Sequence, residues 1–462
     1  MFLNLDKKPS GRIAAVDDSR TEVTYGDICA FAETSSGYVP ERSLVFIMAR
    51  NTIGSLLGYT SCLSRHIVPL ILSANTETGL YTRLYELYRP EYLWVPEDKS
   101  SGYGHETVFS AYGYTLLRTG NAPALMYENL ALLLPTSGST GSPKLVRHSY
   151  RNIEANAMNV SYFFRIRPED RAMAILPMHY TMGLSVIASH LISGATLLLC
   201  DKSMLDKGFW SMLKEEHATS FTGVPYSFEI LNKMRFFRME LPDLRIITQG
   251  GGKMEEGLFN ACVEYADRFG KQFVPTYGQT EGTARMAYLE PEMARFKPGS
   301  IGKAEPNGKL SVLLDDGTES FEGEATGEMV YRGENVTLGY ALCRDDLQKG
   351  DENNGVLHTG DIVRRDSEGY YFIIGRKKRF LKIFGLRIGL DEVEHLVKSA
   401  FDTDCLCTGT DEMLTVRITN SSVLDEVRDF IIEKTHLFHK NLEVIFIDKI
   451  ERNEAGKAIL NK

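Results

Sequence analysis

Short apolar runs alternate with longer amphipathic stretches up to about residue 296. The apolar runs end in small or turn-forming residues; examples are SLVFIMA (43–49), VPLILS (68–73), RAMAILP (171–177) and QFVPTYG (272–278). Buried parallel strands have this near-continuous apolar character, and amphipathic helices cover the faces of such sheets. The pattern therefore predicts an α/β fold with parallel sheets that helices cover on both faces.

The pattern changes after residue 296, where glycine-rich stretches and short alternating runs predict antiparallel strands and hairpins. A helix is predicted around 391–399. The strands MLTVRIT (413–419) and LEVIFID (442–448) flank a second helical stretch. We place a boundary near Gly375–Lys378, which predicts an N-terminal domain over 1–375 and a small α+β domain over 376–462.

Composition narrows the classes of function. The 462 residues include 52 Lys and Arg against 61 Asp and Glu, a net charge of -9. This balance argues against nucleic acid or an anionic membrane as the main partner. No apolar stretch approaches the roughly 20 residues of a membrane span. The N-terminus lacks a signal peptide pattern, and the cysteines are scattered, so we expect a cytoplasmic protein with reduced thiols.

The loop TSGSTGSPK (136–144) follows the apolar run ALLLP (131–135) and is the first candidate site. Its small residues expose backbone N–H groups and hydroxyls, and Lys144 adds a positive charge, which is the chemistry that a phosphate chain needs. The P-loop pattern does not fit, because Pro143 precedes the lysine and Leu145 follows it. A flexible surface linker is the alternative interpretation of this segment.

This loop resembles the signature loop of the adenylate-forming superfamily, which includes acyl-CoA synthetases, peptide-synthetase adenylation domains and luciferases. Further segments follow in that family's order: LPMHYTMGLS (176–185), GVPYS (223–227), QGGGKM (249–254), YGQTEGT (277–283), GSIGK (299–303), GEMVYRGENVTLGY (327–340), HTGD (358–361), GRKKRFLKIFGLRI (375–388) and NEAGK (453–457). The resemblance implies a large N-terminal domain with two doubly covered sheets and a small β-barrel-like subdomain. A small mobile α+β C-terminal domain would follow, with a hinge near Lys378.

The resemblance also implies an ATP-dependent, AMP-forming acid–thiol ligase. A carboxylic acid would form an acyl-adenylate with release of pyrophosphate, and coenzyme A would then take the acyl group as a thioester. The phosphopantetheine of a separate acyl carrier protein is the alternative acceptor. The same motifs would also suit a catalytically silent nucleotide-binding relative or a luciferase-like oxidase.

The family's functional residues carry over onto matching positions of this chain. Phosphate contacts are implied for Thr136, Ser137, Gly138, Ser139, Thr140, Gly141 and Lys144, and nucleotide contacts for Gly250, Gly251, Gly252, Tyr277, Gly278, Asp361 and Arg376. Thr280 would contact the α-phosphate, Glu281 would hold Mg²⁺, and Lys457 would stabilise the transition state of adenylation. Each also has a plain structural interpretation: core packing for Tyr277, an Asx-turn for Asp361 and a solvated surface lysine for Lys457.

The acid pocket is implied around the second and third motifs. Its candidate residues are Tyr180, Met182, Gly183, Val224 and Tyr226, and Gly385 in the C-terminal domain would border the channel for the thiol. Two departures matter here: many members place histidine where this chain has Tyr180, and Thr181 occupies the place of the aspartate that pairs with an amino-acid substrate. A buried ammonium without a carboxylate partner is costly. We therefore expect a fatty, aryl or hydroxy acid.

Overall fold

The computed structural model describes residues 1–135, 144–377, 379–383, 386–410, 412–435, 437–453 and 458–459. The chain separates into two compact units. The first comprises Met1–Pro298, Ala304–Lys309 and Arg332–Leu357, and the second comprises Gly299–Lys303, Leu310–Tyr331 and His358–Lys462. The domain boundary at residues 375–376 stays a prediction of the sequence.

One sheet contains the apolar runs of the middle of the chain. Numbered along the chain and given in order across the sheet, its strands within the described ranges are β16 (Lys303–Ala304), β15 (Ala287–Tyr288), β14 (Gln272–Tyr277), β13 (Ile246–Gln249), β12 (Ser220–Gly223), β10 (Arg171–Ala174), β11 (Thr196–Leu199), β1 (Ile13–Asp17) and β2 (Glu22–Thr24). The pairs from β14 through β13, β12, β10 and β11 to β1 are parallel. Strands of this kind are buried on both faces, which explains their continuous apolar sequences.

A second sheet of the first unit contains the strands on both sides of the small-residue loop. In order across the sheet, the described strands are β20 (Gly339–Ala341), β9 (Leu145–Ser149), β8 (Leu130–Pro135), β4 (Val68–Ser73), β3 (Leu44–Ala49), β5 (Tyr92–Pro96), β7 (Tyr114–Arg118) and β6 (Glu106–Ala111). Strands β8 and β9 are antiparallel neighbours, and β20 is antiparallel to β9. Strand β9 therefore runs back beside β8, and β20, from nearly 200 residues further along the chain, lies next to β9.

Helices of the first unit cover these sheets. They are α1 (Tyr25–Ser36), α2 (Ile53–Ser64), α3 (Thr78–Tyr88), α4 (Tyr150–Phe163), α5 (Thr181–Ser193), α6 (Lys207–Glu215), α7 (Pro225–Lys233) and α8 (Glu256–Arg268). One apolar core draws side chains from β1, β3, β8, β10 and β11 and from helices α1, α2 and α5. Helix α2 is buried from Ile53 to Leu63, and the absence of a side chain at Gly58 lets the indole of Trp94 pack directly on its backbone.

The second unit contains a sheet of five described strands and a small α+β part. The sheet order is β18 (Glu319–Ser320), β17 (Lys309–Leu313), β19 (Ala325–Arg332), β21 (Val356–Arg365) and β22 (Tyr371–Arg376). The α+β part comprises β23 (Phe380–Ile383), β24 (Leu386–Gly389), α9 (Leu390–Ala400), β25 (Cys405–Thr410), β26 (Met413–Ile418), α10 (Leu424–Thr435) and β27 (Leu442–Phe446). Both β17–β18 and β21–β22 pair antiparallel, as predicted for this glycine-rich region.

Short 3₁₀ turns join several of these elements; they are Phe2–Lys7, Glu97–Tyr103, Phe236–Arg238, Thr280–Gly282, Pro291–Met293, Arg344–Gln348, Ser421–Val423 and His439–Asn441. The prediction of a large multi-sheet α/β part followed by a small α+β part is confirmed. Among the residues described, no helix has the length and apolar character that crossing a bilayer requires.

Candidate functional site

Lys144, the last residue of the small-residue loop, lies just before β9 and packs on an aromatic ring. Its ammonium nitrogen is 4.0 Å from the centroid of the Tyr340 ring. The register explains this contact: Tyr340 on β20 is paired with Val146 on β9, so Lys144, two residues before Val146, lies on the same face. An ammonium over the face of a tyrosine ring is a favourable cation–π arrangement.

Glu281, the candidate metal-binding residue, is bound by the same tyrosine. The Tyr340 hydroxyl donates a hydrogen bond of 2.6 Å to Glu281 Oε1. The main-chain oxygen of Glu281 accepts from the backbone N–H and from the hydroxyl of Thr337, each at 3.0 Å. The structure thus brings Lys144 and Glu281 to one residue, Tyr340, which was not among the predicted site residues. One feature of the sequence could have identified Tyr340 as a site residue: it is the last residue of the motif GEMVYRGENVTLGY.

Strand β20 is held in place by a buried arginine. The guanidinium of Arg147 is fully buried and donates to the carbonyl oxygens of Tyr340 at 3.1 Å, Leu338 at 2.9 Å and Gly350 at 3.1 Å. It also pairs with Glu352. Burial lowers the pKa of Arg147, and the charge of Glu352 opposes that shift. The carbonyls of Leu338 and Tyr340 flank or belong to β20, so Arg147 holds the backbone that carries the Tyr340 ring.

The YGQTEGT turn follows β14 and is tightly packed. A Cβ at Gly278 would lie 1.3 Å from the carbonyl oxygen of Ala284, so only glycine fits there. Tyr277 is 7% exposed, and its hydroxyl accepts a hydrogen bond of 3.0 Å from Gln279 Nε2. Thr280 is half-buried and begins the 3₁₀ turn that carries Glu281. The nucleotide contacts of Tyr277, Gly278 and Thr280 stay predictions.

Hydrogen bonds join the YGQTEGT turn to the residues that precede β20. The side-chain amide of Asn335 donates to the carbonyl oxygens of Gly282 at 2.9 Å and Arg285 at 3.1 Å. The hydroxyl of Thr283 donates to the carbonyl oxygen of Asn335 at 2.6 Å. These bonds join the turn around Glu281 to the residues before Tyr340, so both residues belong to one hydrogen-bonded assembly.

Four of the predicted pocket and glycine-turn residues lie together. A Cβ at Gly250 would lie 2.5 Å from Met182 Cε, and one at Gly251 would lie 3.2 Å from Val224 Cγ1. Met182 and Val224 also share an apolar cluster with Leu176. Gly251 has a φ of +80°, a conformation that favours glycine. The glycines after β13 therefore allow Met182 and Val224 to approach the backbone closely.

The remaining predicted pocket residues, and Gly252 of the glycine turn, occupy different positions. Tyr180 precedes the first turn of α5 and lies beside His179, with 4.8 Å between ring centroids. Gly183 packs against the carbonyl of Pro177, where a Cβ would lie 2.3 Å away. Tyr226 is 40% exposed, and Gly252 lies beside the ring of Pro225. Their contacts with substrate stay predictions.

In the second unit, two of the predicted nucleotide contacts, Asp361 and Arg376, face each other. Asp361 on β21 is paired in register with Arg376 on β22, and Oδ1 of Asp361 lies 2.9 Å from Nε of Arg376. Asp361 is 1% exposed. Its backbone N–H donates to the Thr359 hydroxyl at 3.2 Å. The HTGD segment lies within β21, and the pairing of β21 with β22 makes the buried carboxylate and the arginine neighbours.

Several predicted site residues lie outside the described part of the chain; they are Thr136, Ser137, Gly138, Ser139, Thr140, Gly141, Lys378, Gly385 and Lys457. Their roles stay predictions. Within the described ranges, no group of three or more His, Cys, Asp or Glu side chains is placed to hold a metal ion. The Glu281 carboxylate, held at Oε1 by Tyr340, is a donor that suits Mg²⁺, since proteins commonly bind this ion through one or two carboxylates, waters and the phosphates of a substrate.

Comparison with known proteins finds CoA ligases among the relatives of this chain. The chain is 33% identical over 300 residues to indoleacetate–CoA ligase of Aromatoleum aromaticum, covering 63% of this chain and 57% of that protein. It is 31% identical over 269 residues to oxalate–CoA ligase of Arabidopsis thaliana, covering 57% and 51%. It is 30% identical over 270 residues to 2-succinylbenzoate–CoA ligase of Bacillus cereus, covering 58% and 54%. The matched regions span about half the length of these relatives.

Solved structures share the fold over nearly the whole chain. The o-succinylbenzoate CoA synthetase of Bacillus subtilis, in complex with its acyl-adenylate intermediate, aligns with a TM-score of 0.79 at 22% identity, covering 97% of this chain and 94% of that one. ATP-bound MatB of Rhodopseudomonas palustris aligns with a TM-score of 0.80 at 20% identity, covering 99% and 96%. At these identities the likeness concerns the fold alone.

The family assignment rests on the sequence itself. The family model described as AMP-binding enzyme matches residues 90–341, just over half of the chain. This region contains the small-residue loop, the YGQTEGT turn and Tyr340. The chain therefore belongs to the AMP-binding enzyme family, the adenylate-forming proteins that its sequence motifs resemble.

Proposed function

We propose that this chain is an AMP-forming acid–thiol ligase that joins a carboxylic acid to coenzyme A. The observation that carries the proposal is the meeting of Lys144 and Glu281 at Tyr340. These two residues supply a cation for phosphates and a carboxylate for Mg²⁺ at the end of the loop that follows β8. The names of the relatives, all CoA ligases, support the same activity.

In the first half-reaction, a carboxylate oxygen of the acid attacks the α-phosphorus of ATP. The bond between the α-phosphorus and the bridging oxygen breaks, and pyrophosphate leaves. Lys144 would bind the phosphates, and Thr280 would donate to the α-phosphate, stabilising negative charge as it develops. Glu281 would hold Mg²⁺, which neutralises the phosphate oxygens when bound.

In the second half-reaction, the deprotonated thiol of coenzyme A attacks the acyl carbon, and AMP leaves with the bonding electrons. Asp361 would accept hydrogen bonds from the ribose hydroxyls, and Arg376 would hold that carboxylate in position. A buried carboxylate with a fixed partner is suited to this role because a charge-assisted hydrogen bond is stronger than a neutral one.

The substrate class follows from the residues at the start of α5. Met182, Val224 and Leu176 offer an apolar surface beside the glycine turn. Thr181 stands where an amino-acid-activating relative needs an aspartate, and an unpaired buried ammonium is costly. We therefore propose a fatty, aryl or hydroxy acid rather than an α-amino acid. The relatives named for indoleacetate, oxalate and succinylbenzoate support an acid without an α-ammonium.

The test is ATP–pyrophosphate exchange over a panel of acids. The panel contains arylacetic, benzoic, dicarboxylic, hydroxy and fatty acids of graded length, together with the common α-amino acids. We expect exchange with at least one simple organic acid and none with the amino acids. Exchange with an α-amino acid contradicts the substrate class, and exchange with no acid at all contradicts the ligase assignment.

A second assay identifies the acceptor. The acid that gives exchange is supplied with ATP and either coenzyme A or a phosphopantetheinylated acyl carrier protein. We expect thioester formation with coenzyme A. If a thioester forms on the carrier protein and not on coenzyme A, the carrier protein is the acceptor. Light emission or oxygen consumption without thioester would assign the oxidase chemistry instead.

A further inference from the structure

Tyr340 is the residue through which the two oppositely charged groups of the candidate site are connected. Its hydroxyl is 2.6 Å from Glu281 Oε1, and the centroid of its ring is 4.0 Å from the Lys144 ammonium. Tyr340 therefore binds the carboxylate through its hydroxyl and the ammonium through the face of its ring. Neither group needs the other as a partner in this arrangement.

The position of Tyr340 is determined by its backbone. Strand β20 pairs with β9, and Arg147 holds the carbonyl oxygens of Leu338 and Tyr340 from within the fold. On the other side, the hydroxyl of Tyr88 donates to the carbonyl oxygen of Ala341 at 2.9 Å. These contacts fix the backbone on both sides of Tyr340, so its hydroxyl is a preorganised donor.

The Tyr340 hydroxyl contacts one oxygen of Glu281, Oε1. A hydroxyl that donates to a carboxylate leaves the negative charge of that carboxylate in place. A direct Lys144–Glu281 ion pair, by contrast, would cancel the charges that phosphate and Mg²⁺ require.

We propose that Tyr340 is a positioning residue of the nucleotide site, one that orients the Glu281 carboxylate for Mg²⁺ and holds Lys144 apart from that carboxylate until phosphate binds. This inference rests on the proposed function, because it assumes that the site binds Mg²⁺ and ATP. It adds to that function a residue that contacts both charged groups through different parts of its side chain.

The hydroxyl and the ring can be tested separately. Tyr340→Phe removes the hydroxyl and keeps the ring under Lys144. Tyr340→Leu removes both. Tyr88→Phe is the matched control, because it removes a buried hydroxyl that supports the same strand at Ala341 without contacting Glu281. Thermal unfolding of each variant establishes that the protein is folded.

Three quantities are measured. Calorimetry gives the affinity for ATP in the presence of EDTA, and then the affinity for ATP as a function of Mg²⁺ concentration. Electron paramagnetic resonance gives the affinity for Mn²⁺. For Tyr340→Phe we expect a metal affinity about tenfold or more weaker, as for other residues that orient a metal ligand, and little change in ATP affinity with EDTA. For Tyr340→Leu we expect both affinities to fall. Tyr88→Phe should change both affinities much less than Tyr340→Phe does, because the pairing with β9 and the bonds from Arg147 still hold the strand.

A double variant tests whether the effect passes through Glu281. In a Glu281→Gln background, Tyr340→Phe should cause no further loss of metal affinity, since the carboxylate that it orients has been removed. Additive losses, or an unchanged metal dependence in Tyr340→Phe, would overturn the proposal. If Tyr340→Phe does not fold, the same comparison is made with Tyr340→Leu. Failure of the wild type to bind ATP with Mg²⁺ would instead contradict the proposed function.

Discussion

Asp361 and Arg376 form an ion pair across β21 and β22, with 2.9 Å between Oδ1 and Nε. The carboxylate is buried, whereas the side chain of the arginine is 56% exposed. The adjacent Lys377 repeats this arrangement with the buried Glu328, at 2.8 Å and with a side chain 57% exposed. Two neighbouring cations thus have nearly the same environment, but the sequence motifs imply a nucleotide contact for Arg376 alone.

This similarity gives a matched pair of variants. We expect Arg376→Met to weaken AMP binding about tenfold, about 1.4 kcal/mol, since the ribose would lose one contact and the orientation of Asp361. Lys377→Met should leave AMP affinity near that of the wild type. Calorimetric titration of both variants with AMP tests this, and equal losses in the two would remove Arg376 and Asp361 from the nucleotide site.

The contact between Gly250 and Met182 predicts the shape of the acid pocket. A Cβ at Gly250 would lie 2.5 Å from Met182 Cε and 2.7 Å from Thr276 Oγ1. Gly250→Ala should therefore displace Met182 and raise the KM for the acid, by an overpacking cost of about 1–3 kcal/mol. Met182→Ala should accept bulkier acids and should partly restore the KM of Gly250→Ala. The KM values of an acid series in the three variants are the measurement, and no rescue in the double variant would place the pocket elsewhere.

Variants of the C-terminal residues to which the motifs assign a role should affect the two half-reactions differently. Lys457→Ala should slow adenylation by about 10²-fold, in line with the loss of one preorganised donor, and should spare thioester formation from supplied acyl-adenylate. Gly385→Leu should spare adenylation and block thiol transfer, because a side chain would fill the proposed channel. Lys378→Pro should impair the two half-reactions unequally by restricting the hinge. Rapid-quench assays of each half-reaction provide the test, and equal slowing of both in all three variants would contradict domain alternation.

The buried imidazole of His190 should lower the free energy of unfolding in acid. Burial in α5 lowers the pKa of His190 to about 4; Arg285 and Arg245 also lower it, while the hydrogen bond to the Val186 carbonyl and the charge of Asp170 raise it. The unfolded state, with a pKa near 6.5, binds the proton first as the pH falls, so folding loses stability between about pH 6.5 and 4. The loss from this one group approaches about 3 kcal/mol.

Replacing the imidazole should remove this contribution. In His190→Gln, the free energy of unfolding should fall less between pH 7 and pH 4 than in the wild type, by about 3 kcal/mol. Urea unfolding at both pH values is the measurement. An identical acid dependence in the two proteins would mean that His190 is not the group that is protonated on unfolding.

The local elements and the family were predictable from the sequence alone. The runs VPLILS and QFVPTYG became β4 and β14, the predicted helix near 391–399 became α9, and the ordered motifs agree with the family match. These features were accessible because apolar periodicity and turn residues act over a few neighbouring positions, and each motif is a short continuous string.

The position of Tyr340 beside both Lys144 and Glu281 became visible only in the folded chain. The pairing of β20 with β9 joins segments almost 200 residues apart, and the buried Arg147 and the turn held by Asn335 add hydrogen bonds around it. The Asp361–Arg376 ion pair likewise required the register of β21 and β22. Long-range strand pairing is selected by packing and hydrogen bonding across the whole fold, so a local pattern names the residues of a site without saying which of them touch.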